Sequence, residues 1–153
     1  MNYGENLRRF MQEHNVKGTH LTFRQSCHSV EEAARAIQGS PEDFVKSICL
    51  MDRDGTLIVA IVGGAFRAST SRVAKALEIE RPRIAEAAEV LIKTGYPVGG
   101  VPPFGFEALF LIDPKVMEKE VVYAGGGSEC CLVKISPQEL QKANNGRIVR
   151  VRK

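Results

Sequence analysis

Residues 95–105 read GYPVGGVPPFG. Seven of these eleven positions are Gly or Pro, and the remaining four, Tyr96, Val98, Val101 and Phe104, are apolar or aromatic. Proline fixes its own φ and removes an N–H, while glycine admits positive φ and lets other groups approach the backbone. No ordinary helix or strand tolerates that density of both. A flexible linker would be polar and Ser-rich, whereas this segment carries side chains that prefer to pack. It is a stiff loop with exposed amides, and residue physics leaves two uses open: a structural turn at the mouth of a sheet, or a cradle for a ligand.

On the C-terminal side of the loop, residues 108–112 form a short apolar run that predicts a buried strand, ended by Asp113-Pro114. Residues 121–124 and 132–135 predict two further strands around Gly125-Gly126-Gly127-Ser128. Ser136-Pro137-Gln138-Glu139 is a capping box with Pro at the first helical position, predicting a helix to Ala143, and residues 148–151 predict a final strand.

On the N-terminal side, residues 44–51 and 56–62 predict a hairpin joined by Asp52-Arg53-Asp54-Gly55, whose Asp-Gly step suits a tight turn. Helical patterns occupy residues 70–77 and 83–93, the latter stopped by Gly95. Leu7, Phe10 and Met11 make one apolar stripe in a first helix over residues 4–14, residues 19–24 read as a short strand, and Ser29 with Glu32 caps a helix over residues 30–38. Strands and helices are mixed without a regular βαβ repeat, and a hairpin sits in the middle. The expected fold class is therefore α+β, a single domain over residues 1–153 with a mixed β-sheet flanked by helices.

Composition sets the outer limits. With 44% hydrophobic and 25% charged residues, the chain has the balance of a globular protein, and 153 residues suffice for one core. No apolar run approaches the ~18 residues that span a bilayer, and the first residues lack a signal peptide's apolar core, so the expected location is cytoplasmic, away from membranes. Cys27, Cys49, Cys130 and Cys131 show no CxxC spacing, and no zinc-ligand spacing links them to His14, His20 or His28, although His28 adjoins Cys27. Reduced thiols and no metal are expected. The net charge of +3 does not demand a nucleic acid; Arg8-Arg9 and the cluster Arg147, Arg150, Arg152 and Lys153 can meet phosphates or be merely solvated.

Period-2 alternation places Lys46 on one strand face with Phe44, Ile48 and Leu50, opposite Val45, Ser47, Cys49 and Met51. A lysine there either snorkels to water or is a positioned cation for a phosphate, a carboxylate or developing negative charge. The sequence contains no nucleophile elbow, no GxGxxG after a strand and no P-loop. One lysine and two glycine-rich loops remain, a set that can bind an acyl or phosphate group through backbone N–H donors and leave hydrolysis to an oriented water.

Four blocks of the chain, SCHSVEEAA at residues 26–34, Val45-Lys46-Ser47, the loop at residues 95–105 and Ser136-Pro137-Gln138-Glu139-Leu140, resemble the YbaK/EbsC-like relatives of the prolyl-tRNA synthetase editing domain. The resemblance covers nearly the whole chain. It implies trans-editing: hydrolysis of the ester joining a wrong small amino acid, such as alanine or cysteine, to the 3′ adenosine of a tRNA, with proline tRNA one candidate. Lys46 takes the place of the family lysine that holds the tRNA terminus or the ester. Gly99, Gly100, Val101 and Pro102 fall in the segment whose amides line the aminoacyl pocket, Gly100 among those that polarise the carbonyl. Ser26, Gly127 and Ser128 are weaker pocket candidates. The resemblance also implies no cofactor, aminoacyl-tRNA and a synthetase as partners, help from a substrate hydroxyl in activating water, and, for a cysteinyl ester, departure through its own thiol. A monomer is the working expectation.

Two positions depart from many relatives, which carry His where this chain has Phe106 and Cys130. Neither side chain replaces an imidazole's proton chemistry. Two other readings follow: a non-catalytic module that binds tRNA ends or a synthetase, and a hydrolase for another small ester or nucleotide ligand.

Overall fold

The computed structural model describes residues 2–153. Its centre is the hairpin of β2 (Val45–Met51) and β3 (Leu57–Gly63). Asp52 closes the turn by accepting from the amides of Asp54 (2.9 Å) and Thr56 (2.8 Å), and Gly55 takes the positive φ of 84° that the reversal requires. β3 pairs antiparallel with β2 on one edge and parallel with β5 (Leu109–Ile112) on the other, and it is buried on both faces by the layers packed against the sheet. Its residues Leu57, Val59 and Ile61 enter one apolar cluster, and Ile58, Ala60 and Val62 enter another.

The fold class is α+β, with the strands divided between two sheets. A mixed five-stranded sheet runs β4 (Arg83–Ile84), β2, β3, β5, β8 (Arg147–Ile148), and a three-stranded antiparallel sheet runs β1 (Gly18–Thr22), β7 (Cys131–Ile135), β6 (Val122–Gly125). The larger core lies between them, where Leu7 and Met11 of α1 (Tyr3–Glu13), Val90 of α4 (Ala87–Thr94) and Leu140 of α6 (Pro137–Asn144) meet Val59, Ile61, Val133 and Ile135. On the far side of the five-stranded sheet, Val73 of α3 (Thr70–Leu77) and Val151 cover Leu50, Ile58, Val62 and Leu111. α2 (Val30–Ile37) packs through Ala33 and Ala34 onto Phe44 and Leu132. Each fully buried Leu, Ile or Val side chain contributes about 1.5–3 kcal/mol.

Three local expectations change. Residues 83–93 are not one helix: Arg83 and Ile84, just after Pro82, pair with Met51 and Leu50 as β4, and α4 begins only after Glu86, whose amide donates to Glu89. The pairing outweighs the helical pattern because Arg83 holds Glu89 from the strand, at 2.7 Å through each of two guanidinium nitrogens. Second, Asp113 starts a short helix, α5 (Pro114–Met117), by accepting from the Lys115 amide. Third, the last strand ends at Ile148; further on, Arg152 bridges to Ala68 and pairs with the fully buried Asp113 at 2.9 Å.

Candidate active site

The short β4 shapes the site. It pairs only with Leu50 and Met51, and at the other end a bridge joins Phe44 to Tyr123 of β6, so the β2 edge around Lys46 to Ile48 is left uncovered between them. The Gly64 amide donates to the Phe44 carbonyl and the Asp52 amide to the Thr56 carbonyl, so even-numbered β2 residues bond to β3. The amide and carbonyl of Ser47 therefore face the open edge. A cavity of about 360 Å³ lies there, between β2, the loop before α2, the end of β6 and the Gly/Pro loop. Its volume is near the lower end of the ~300–1,000 Å³ usual for small-ligand sites.

Lys46 lines this cavity and, among the described residues, forms no ion pair. Burial pushes its ammonium pKa down; Glu31 opposes that shift and Arg67 adds to it. Such a cation is poorly hydrated and ready to meet an anion or a developing oxyanion.

Of the other residues singled out from sequence, Gly99 and Val101 also line the cavity. Gly99 has φ of 91°, and a Cβ there would collide with the His28 ring, so glycine is required both for conformation and for space. Gly100 and Gly127 stand behind the wall. The Gly100 amide donates to the Pro97 carbonyl (3.0 Å), and its carbonyl accepts from the Gly127 amide (2.7 Å). With its N–H already used, Gly100 holds the two glycine loops together instead of presenting a donor to a carbonyl. Pro102 is buried behind the lining, and Gly125 occupies the pocket position expected of Gly127.

Ser26 and Ser128 lie outside the lining. The Ser26 hydroxyl donates to Glu32 (2.7 Å) and accepts from the His28 amide (3.2 Å). The Ser29 hydroxyl accepts from the Glu32 amide as the N-cap, but the Glu32 carboxylate turns to Ser26 and to the His28 amide. The Ser26 hydroxyl, then the His28 amide, holds the Glu32 carboxyl below its usual range. This clamp seats the loop before α2 and brings the His28 ring over Gly99. Ser128 instead lies against Gly4 of α1, with its hydroxyl 3.5 Å from the Cys130 sulfur.

Sequence reasoning missed His28 and Ser47 as pocket residues. His28 lines the cavity, with Nδ1 3.6 Å from a Glu129 carboxylate oxygen. Its signal was its place immediately before the α2 cap, a position that looks toward a neighbouring loop. All four cysteines are free, and desolvation pushes both cavity thiols, Cys27 and Cys49, up to about 11. They stay protonated near neutrality and are poor nucleophiles. Phe106 packs against Phe110 with ring centroids 5.3 Å apart, and Cys130 does not reach the lining, so no imidazole occupies either place. Among the described residues no cluster of His, Cys, Asp or Glu could hold a metal, and no helix is long and apolar enough to cross a membrane.

With this geometry, the chain belongs to the aminoacyl-tRNA editing domain family, whose sequence profile matches residues 24–143. That span includes β2 with Lys46, the Gly/Pro loop and Gly125. Uncharacterized protein YwhH of Bacillus subtilis (strain 168) is 24% identical over 128 residues, covering 82% of this chain and 81% of its own length. The crystal structure of hypothetical protein APE2540 superposes with a TM-score of 0.88 at 28% identity, over 96% of this chain and 99% of that one. A protein described as a candidate trans-editing enzyme for prolyl tRNA synthetase shares the fold with a TM-score of 0.91 at 21% identity, over 100% of this chain and 98% of its own.

Proposed function

We propose that this protein is a trans-editing deacylase that hydrolyses the ester between a small amino acid, such as alanine or cysteine, and the 3′ end of a tRNA, with proline tRNA the first candidate. The observation that carries this reading is the cavity itself, in which Lys46 is the one ammonium, among the described residues, on mostly apolar walls. Lys46 holds the ester oxygen or the terminal phosphate. Water attacks the carbonyl carbon, the bond to the ribose oxygen breaks, and free amino acid and a tRNA hydroxyl result. With Cys27 and Cys49 protonated, the nucleophile is water, and a ribose hydroxyl of the substrate assists in taking its proton.

Val101, Val90 and the wall at Gly99 limit the side chain that fits. Size sieving of this kind discriminates by ~1–3 kcal/mol per methylene, so the tRNA or a partner synthetase supplies the remaining specificity. The test is release of amino acid from tRNAs charged with alanine, cysteine, serine, threonine and proline, by wild type beside Lys46→Ala. Release of one or two of these that depends on the lysine supports the reading; equal release by the variant overturns it.

A second reading, a module that binds charged tRNA without cleaving it, is favoured by one observation: the Gly100 amide is already bonded to Pro97. Protection of every charged tRNA, by wild type and variant alike, would select that reading.

A further inference from the structure

Two stretches without a single acidic residue come together on one face of the molecule. Residues 65–77 contain Arg67, Arg72 and Lys75, and residues 145–153 contain Arg147, Arg150, Arg152 and Lys153; neither contains Asp or Glu. They are far apart in sequence and tied in space: the Lys153 amide donates to the Arg67 carbonyl (2.9 Å), the Ser69 amide to the Val151 carbonyl (2.7 Å), and the Arg147 guanidinium to the Ala76 carbonyl (2.9 Å).

Elsewhere on the surface four basic side chains are held by acids, while others, Arg9, Arg24, Arg35 and Lys142 among them, form no ion pair among the described residues. Arg8 pairs with Glu5, Arg53 with Glu80, Arg83 with Glu89 and Lys115 with Glu118. Within the basic face only Arg152 is neutralised, by buried Asp113, and among the described residues Arg67, Arg72, Lys75, Arg150 and Lys153 form no ion pair although all five are exposed. Folding does not ask for this arrangement. Like charges repel, and Arg72 occupies the first turn of α3, where the helix dipole disfavours a cation and no acid offsets it.

The face also adjoins the pocket. Lys46 lies opposite Val62 across the hairpin, on the sheet face whose apolar cluster contains Val62, Val73 and Val151. α3 and the C-terminal segment cover that face, and the charge of Arg67 is felt at Lys46.

We propose that Arg67, Arg72, Arg150 and Lys153 form a docking surface for the sugar–phosphate backbone of a double-helical RNA stem whose 3′ end enters the Lys46 cavity. The inference rests on the deacylase reading for what enters the cavity, but not for the surface. An RNA backbone fits because its charges are closely spaced and its recognition needs cations rather than a shaped pocket.

The test uses an RNA hairpin with a single-stranded 3′ end, uncharged, and the same hairpin charged with whichever amino acid the wild type releases. An aminoacyl ester of adenosine serves as a substrate too small to reach the basic face. The Arg72→Glu, Arg150→Glu double variant is expected to weaken hairpin binding roughly tenfold or more at moderate salt and to flatten the salt dependence of Kd. It raises KM for the charged hairpin, leaves kcat unchanged, and leaves hydrolysis of the adenosine ester unchanged. The Arg72→Gln, Arg150→Gln variant gives a smaller change in the same direction, which guards against unfolding by charge reversal. Arg8→Glu, Arg53→Glu is the control, with the same change in net charge at paired arginines.

Unaltered hairpin binding by both double variants overturns the proposal, as does equal weakening by the control. So does wild-type binding to vesicles of anionic lipid with none to the hairpin. Loss of hairpin binding by a protein that cleaves no ester would uphold the surface and sink the deacylase reading; normal cleavage with unaltered binding would do the reverse.

Discussion

The Gly127 amide donates to the Gly100 carbonyl at 2.7 Å, and that bond locks the two glycine-rich loops together behind the cavity. The backbones approach so closely that a Cβ on Gly100 would strike the Gly127 carbonyl. Gly100→Ala is therefore expected to destabilise the fold by about 1–3 kcal/mol, through a forced backbone shift in a buried segment. Urea unfolding measures this, and an unchanged midpoint would show that the loops can separate without cost.

Gly99→Ala acts differently. The strain of a non-glycine residue at φ of 91° comes with a clash against the His28 ring, which can swing outward because it is half exposed. Stability falls by about 1–2 kcal/mol, and the pocket wall moves. The selectivity between alanyl and larger aminoacyl esters should relax more than kcat falls, read from kcat/KM for the two esters.

Lys46→Met should abolish hydrolysis and raise Tm. Desolvation lowers the folded-state pKa of Lys46 below that of the unfolded chain, so between the two values the unfolded chain binds the extra proton. Wild-type stability then rises with pH across that window, as the folded-state lysine deprotonates. The Met variant lacks this rise, and the difference in Tm between the two narrows as the pH is raised through the window.

Asp113 is fully buried and accepts from the amides of Val151 and Arg152 and from the Arg152 guanidinium. Asp113→Ala leaves that guanidinium without its carboxylate and should cost about 3–5 kcal/mol. The C-terminal segment loosens first, seen as faster amide exchange at Val151 and Lys153. Unaltered exchange there would refute the role assigned to the pair.

Glu89 is pulled down to about 2, chiefly by its hydrogen bonds to Arg83 and also by the Glu86 amide. A carboxyl lowered in the folded state contributes stability that is complete above its ordinary value of 4.5 and is lost as pH falls toward about 2. The contact ties β4 to α4 beside Ile84, Ala85 and Val90 of the cavity wall. Amide exchange in β4 should quicken across that acidic window in wild type, whereas Glu89→Gln should show the quicker exchange at neutral pH as well.

Much of the architecture was legible in residue order because its causes are local. The Asp52 to Gly55 turn, the Ser29 and Ser136 caps and the stripe of Leu7, Phe10 and Met11 act within a few residues, and the structure carries them where expected. Residues 83–93 misled because a strand pairing of two residues, secured by Arg83 and Glu89, lies inside a helical pattern. The alternation around Lys46 placed it on the correct face of β2, and the composition of residues 95–105 marked a rigid wall.

Sequence alone thus determined most of the elements, the α+β class and the residue types available to the site, since backbone propensity and side-chain period are properties of neighbours along the chain. Only the tertiary structure decided which of those residues share a cavity. Ser26 and Ser128 were turned away by hydrogen bonds to Glu32 and by packing on α1, Gly100 spent its amide on Pro97, and His28 was carried over Gly99. It also gathered Arg67 and Arg150 onto one face. Those outcomes depend on contacts between distant segments, whose hydrogen-bond partners and open space exist only once the sheets have packed.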